Sequence, residues 1–174
     1  MVVRGAGKLE KSSSPSQRDP NVAMPRRFKI SHNESKAWSL MEQKPHAWSD
    51  ELSVGNSQLD RQHQELIELC NRATACAKSG SSEARHDFHS ILNDFATLLE
   101  AHFEAEEALL ENNKCPTLEA HKASHDMHRE NIVDLLLSGT SGQVDEKKLA
   151  QVARTWLLEH MTEVDLPVKA YMKK

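Results

Sequence analysis

Five histidines and two carboxylates fall at helix-like spacing along this 174-residue chain: His63, His102 with Glu106, His121 with His125, and His160 with Asp165. Residues four apart on an α-helix stand one above the other on the same face. His102 with Glu106, and His121 with His125, therefore each aim two donor atoms in one direction. Four such segments packed together place seven donors in one interior space. Imidazole suits Fe, Zn, Cu and Ni, carboxylate can bridge two ions, and the set holds no thiolate, so the chemistry expected is that of two transition metals. For any single histidine the bland alternative is a hydrogen-bonded core residue. For the group that alternative fails, because burying five imidazoles and two carboxylates without a cation costs on the order of several kcal/mol in desolvation, a large share of a domain's stability. The other histidines, His32, His46, His86, His89 and His128, fall outside the pattern. His128 lies close to the face of His121 and His125, and a structural or surface role is expected for it. Glu104, Glu107 and Glu111 are expected to form a solvated face.

The elements that must position these residues are legible as four helical periods. Leu59, His63, Leu66, Ile67, Cys70 and Ala73 mark a helix over about 58–78, with Ser57-x-x-Asp60 as a capping box and Gly80 as the stop. Phe88, Ile91, Leu92, Phe95, Leu98, Leu99, His102, Glu106 and Leu109 mark a second over about 83–112, ended by Asn112-Asn-Lys-Cys-Pro116. Leu118, His121, His125, His128, Ile132, Leu135 and Leu136 mark a third, closing at Gly139. The fourth carries Leu149, Val152, Ala153, Trp156, Leu157 and His160, with Asp145 as its N-cap. Short Gly, Ser and Asn loops between helices of similar length imply antiparallel neighbours, hence an all-α, up-and-down antiparallel four-helix bundle. His160 and Asp165 are five apart, which rotates them by about 140° on a straight α-helix. The helix is therefore expected to loosen before Asp165, helped by Pro167, which disfavours helical geometry at Leu166 and lacks a backbone donor. Pro167 to Met172 should form a short turn that packs Tyr171 near the bundle end.

Length and composition allow one such domain and a tail. Residues 1–45 carry Pro15, Pro20, Pro25 and Pro45, the run Ser12-Ser13-Ser14, and no sustained apolar period, the composition of a disordered N-terminal extension. They hold nine Lys or Arg against four Asp or Glu, while residues 46–174 hold thirteen against twenty-two. A basic extension thus precedes an acidic bundle. The start shows no apolar stretch of signal-peptide length; its Arg and Ser content is a weak transit-peptide signal, and Met24 and Met41 offer downstream starts. No run of 18 apolar residues exists, so no membrane partner is expected. Cys70, Cys76 and Cys115 are odd in number and form no Cys-x-x-Cys, which argues against a disulfide framework or zinc ribbon and for a reducing cytoplasm. Cys70 shares a helical face with His63, Leu66 and Ile67 and reads as a small buried apolar residue.

The stretches Trp48-Ser-Asp-Glu-Leu-Ser-Val-Gly55, Leu59-Asp-Arg-Gln-His63, His102-Phe-Glu-Ala-Glu-Glu107, His121-Lys-Ala-Ser-His125 and Trp156-Leu-Leu-Glu-His-Met-Thr-Glu-Val-Asp165 together resemble the hemerythrin family, in its bacterial single-domain form. The resemblance spans about Trp48 to Met172, and all seven ligand positions of the family motif are filled by the expected residue type. It implies a non-haem di-iron site in residues 46–174. His121, His125 and His160 would bind one iron and His63 and His102 the other, with Glu106, Asp165 and a solvent-derived oxo or hydroxo group bridging them. By coordination counting, this leaves one open position on the iron with two histidines, where dioxygen would bind. Leu66, Phe103, Trp156, Leu157 and Met161 are the apolar candidates for lining that pocket. Trp156 stands four before His160, Leu66 three after His63, and Phe103 beside His102, although plain core packing would place them the same way.

The function so implied is reversible dioxygen binding for oxygen storage, transport or sensing, with no catalytic residue and room only for a weak peroxidase or oxidase side activity. A di-iron enzyme acting on peroxide or nitric oxide, or an iron donor in cluster repair, is the alternative, but such relatives usually have altered ligands or additional cysteine regions missing here. A third class is an interaction module whose basic extension signals oxygen state to an unidentified protein. No nucleic-acid partner is expected.

Overall fold

The computed structural model describes residues 46–140 and 146–173. Four long helices carry the chain: α1 Ser57–Ser79, α2 Ser82–Asn112, α3 Leu118–Thr140 and α4 Glu146–His160. α1 packs on α2 and α4, and α3 packs on α2 and more lightly on α4. Short turns join α1 to α2 and α2 to α3, so these neighbours run antiparallel, as the helical periods predict. The fold is an all-α four-helix bundle. The extension over residues 1–45 and the expected cap at Asp145 lie outside the described residues.

The apolar periods form the core. Leu66, Ile67, Cys70 and Ala73 of α1 meet Phe88, Ile91, Leu92, Phe95 and Leu99 of α2, and Leu149, Ala153, Trp156 and Leu157 of α4, in one buried cluster. A smaller cluster of Val54, Leu59, Leu110, Cys115, Val168 and Met172 closes the end of the bundle where the short C-terminal turns fold back. Tyr171 packs against its edge, as expected. Burial pushes the Cys70 thiol up to about 12, which fits an inert packing residue.

Capping departs from expectation at α1. The N-cap is Asn56, whose side-chain oxygen accepts from the amides of Gln58 at 3.1 Å and Leu59 at 3.3 Å. Asp60 instead folds back on the preceding loop, accepting from Ser53 Oγ at 2.7 Å and the Val54 amide at 2.8 Å. The capping-box pattern at Ser57 is thus one residue out of register: Asn56 already satisfies the free amides, which releases Asp60 to order the loop. At the other end Gly80, at φ 68°, stops α1 in the left-handed conformation as expected.

His160 ends the regular part of the fourth helix, and Met161–Asp165 form a π-helical segment, followed by one α-turn at Leu166–Val168 and a 3-10 turn at Lys169–Tyr171. This is the expected loosening. In an α-helix Pro167 would have to donate an amide hydrogen to the carbonyl of Glu163, which it cannot do, and its ring would crowd that carbonyl. The wider π turn relieves both and brings residues five apart toward the same face.

Asn56 also donates from Nδ2 to the carbonyl of Met172 at 3.1 Å, tying the start of α1 to the C-terminal turn in a buried position. Asn56→Ala loses a cap and leaves that carbonyl without its partner, so it should cost about 2–3 kcal/mol in urea denaturation. At the exposed cap of α2, Ser81 Oγ accepts from the Ala84 amide at 3.1 Å. Ser81→Ala should cost about 1 kcal/mol or less in the same measurement.

Candidate metal centre

His63 lies near the start of α1, His102 and Glu106 near the end of α2, His121 and His125 near the start of α3, and His160 at the end of α4. Because successive helices reverse direction, these positions fall at one level of the bundle. The π turn delivers Asp165 to the same level. All seven side chains are buried, none more than 4% exposed.

Their donor atoms face one another. His63 Nε2 stands 3.2 Å from His102 Nε2 and 3.2 Å from Asp165 Oδ2. Glu106 lies 3.4 Å from Nε2 of each of His102, His121 and His125. Asp165 lies 2.9 Å from His160 Nε2 and 4.0 Å from His121 Nε2. Each carboxylate therefore reaches histidines of both groups, Glu106 touching His102 and the α3 pair, Asp165 touching His63, His121 and His160. Two overlapping quartets have all their ligand atoms within 4.8 Å of one another: His102, Glu106, His160 and Asp165, and Glu106, His121, His125 and Asp165.

No protein hydrogen bond satisfies both oxygens of Glu106, both of Asp165, or Nε2 of His121, His125 and His160. Seven buried polar atoms aimed inward without partners would each cost about 1–3 kcal/mol. Cations would supply the missing interaction, and a set of nitrogen and carboxylate donors fits transition metals. The electrostatics agree. Burial works against ionising Glu106, yet the imidazoles of His102, His121 and His125 crowded against it hold its carboxyl well below the usual range. Asp165, likewise opposed by burial, is held down at about 2 by the charge of His160. Burial works against a charged His160, but the Asp165 and Glu106 carboxylates outweigh it and raise its pKa, whereas burial lowers that of His102.

The five apolar candidates all lie in the core, and two of them, Phe103 and Trp156, pack on histidines of this cluster. Leu66, Phe103, Leu157 and Met161 are at most 1% exposed and Trp156 7%. Phe103 stacks on His125 with ring centroids 3.8 Å apart and an interplanar angle of 15°, and lies 5.4 Å from His160 and 6.0 Å from His102. Trp156 lies 5.4 Å from His160 and meets Phe103 edge-on.

Several contacts at the site lie beyond the reach of helical periodicity. His128 is buried among Trp156, His160 and Phe103. Trp156 Nε1–H donates to His128 Nδ1, so in the neutral ring Nε2 carries the proton and faces Ser124 Oγ at 3.2 Å. Burial, then repulsion from His160 and His125, takes its pKa down to about 3. Its role is internal, not surface. Trp48 shields His63 with ring centroids 6.4 Å apart, and Gln62 Oε1 faces His102 Nδ1 at 3.4 Å. Glu107 corrects the expectation of a solvated acidic face: it is 18% exposed and accepts from His125 Nδ1 at 2.7 Å. Spacing within one helix gives no signal for it: Glu107 follows Glu106 by one residue, about 100° further round α2, and only the packing of α3 brings His125 to it.

The Hemerythrin HHE cation binding domain, as a family model, matches residues 54–170. The chain is 25% identical over 114 residues to a protein named Bacteriohemerythrin from Stenotrophomonas maltophilia, an alignment covering 66% of this chain and 72% of that protein. It is 24% identical over 118 residues to a Bacteriohemerythrin of Pseudomonas aeruginosa, covering 68% and 75%. Among solved structures, the crystal structure of wild-type hemerythrin superposes with a TM-score of 0.68 at 21% identity, covering 75% of this chain and all of that one. That structural likeness speaks for the fold.

If the inward donors hold metal, occupancy must stabilise the fold. A divalent ion present at about 1,000 times its Kd should add about 4 kcal/mol, or roughly 8–16 °C in thermal midpoint. Differential scanning calorimetry with Fe(II) under argon, against chelator-treated protein, checks this. Asp165→Ala should lose more than about half of that gain, since it removes a donor shared by both histidine groups.

Proposed function

Since the chain belongs to the hemerythrin family, we propose that it binds dioxygen reversibly at a non-haem di-iron centre, as a store, carrier or sensor of oxygen. His121, His125 and His160 would hold one iron and His63 and His102 the other, with Glu106 and Asp165 bridging. The observation that carries this reading is the reach of each carboxylate to histidines of both groups, which is what two shared ions need. Iron held by these residues in the ferrous state would supply the electrons that reversible dioxygen binding needs.

The residues of this chain would do the rest. The four helices and the π turn hold seven donors at one level, so little reorganisation accompanies a change of charge at the centre. Leu66, Phe103, Trp156, Leu157 and Met161 supply the apolar wall. Their burial keeps water and stray protons from the pocket, the condition for a bound ligand to leave unchanged instead of being consumed. No helix among the described residues is long and apolar enough to cross a membrane.

The test is spectroscopic. Iron-loaded, anaerobically reduced protein should develop a visible charge-transfer band on exposure to air and lose it again under argon. A band that never reverses, or turnover of peroxide or nitric oxide at a steady rate, would support the enzyme instead. Phe103→Leu keeps the wall apolar but loses the ring packed on His125 and His160. It should bind iron in full yet lose the reversible response about tenfold faster, equivalent to ~1.4 kcal/mol in barrier.

A further inference from the structure

Glu107 faces two ways. One carboxylate oxygen, Oε1, accepts from His125 Nδ1 at 2.7 Å and from Arg129 Nη2 at 3.3 Å. A carboxylate is an acceptor only, so Nδ1 of His125 carries the hydrogen and Nε2 presents its lone pair to the cluster, 3.4 Å from Glu106. Arg129 is itself anchored from outside, donating from Nε to Glu100 at 2.8 and 3.1 Å and from Nη1 to Asp126 at 2.9 Å. Its guanidinium carbon sits 5.2 Å from the centre of the Phe103 ring, the same ring that stacks on His125. His102 by contrast faces neutral Gln62, and Nδ1 of both His63 and His160 is buried without a hydrogen-bond partner.

We propose that Glu107 and Arg129 are opposed positioning residues that set the reduction potential of the centre through His125, Glu107 lowering it and Arg129 moderating Glu107. The inference rests on the di-iron reading above. A carboxylate accepting from one imidazole nitrogen makes the opposite nitrogen a stronger donor and favours the higher charge state of a bound metal. Arg129 shares the very oxygen that His125 uses, so it draws negative charge away from that hydrogen bond. His125 is fully buried, which leaves the effect little screened, whereas Glu100 and Asp126 are 47% and 73% exposed and are screened by salt. Oxidation takes one electron from each iron to an external acceptor; no bond within the network breaks and none of its hydrogens moves.

The experiment is a mediated potentiometric titration of the full chain, loaded with iron under argon. Glu107→Gln should raise the reduced-to-oxidised ratio at a given potential at least about tenfold, or ~59 mV per one-electron step. Arg129→Met should shift it the opposite way by less, and Glu100→Gln should leave it near wild type. In Glu107→Gln/Arg129→Met the Arg129 effect should vanish, because the residue acts through Glu107. An unchanged or lowered potential in Glu107→Gln overturns the proposal, as does an Arg129 effect that persists in full in the double variant. Nitrogen-15 NMR of the metal-free protein gives a second arm that needs no iron. The His125 ring signals should mark hydrogen on Nδ1 and move in Glu107→Gln, but not in Glu100→Gln; ring signals that do not respond to Glu107 sink the proposal. Wild-type protein that takes up no iron, with the NMR arm intact, would defeat the di-iron reading and the tuning role with it, while leaving the His125–Glu107 contact standing.

Discussion

The buried inward-facing atoms of Glu106, Asp165, His121, His125 and His160, left without hydrogen-bond partners, are the constraint on which this structure turns. A bundle of this size gains its stability as a small surplus of apolar burial over chain entropy, and it cannot carry such a cluster uncompensated. Cations would close this polar centre, and its nitrogen and carboxylate donors suit them. The large apolar cluster on one side and the small one at the bundle end enclose it, so that the charge-bearing layer is sandwiched between two cores instead of lying open to water.

Geometry follows from that constraint. Antiparallel helices bring the start of α1 and α3 level with the ends of α2 and α4, which is why the donors alternate between early and late positions along the sequence. The seventh donor needs a break in regularity: Asp165 is one residue too far along for an α-helix, and the π segment Met161–Asp165 absorbs the excess. The C-terminal turn that follows is locked by Asn56 to the start of α1 and by Asn113 Nδ2, which donates to the Tyr171 carbonyl. The chain end thus braces the site's least regular ligand.

Much of this was legible in the residues. The periods through Leu66, Phe95 and Trp156 mark the helices because burial of one face dictates them, and the five-residue step from His160 to Asp165, with Pro167 behind it, points to a local loosening. What spacing along one helix cannot show is contact between helices. Glu107 reads as one more exposed acid on α2 until α3 brings His125 and Arg129 beside it, and His128, near the His125 face by spacing, leaves a structural and a surface role open until α4 lays Trp156 against it. The cap of α1 was misread for a local reason: Asn56 and Ser57 are both good caps, and only the loop that recruits Asp60 decides between them.

The most direct test of the central claim is an anaerobic titration of metal-free protein with Fe(II), followed by the spectral or calorimetric signal of binding. Convergence of all seven donors on one shared pocket requires a break at two ions per chain. A break at one ion per chain, or none at all, would contradict it.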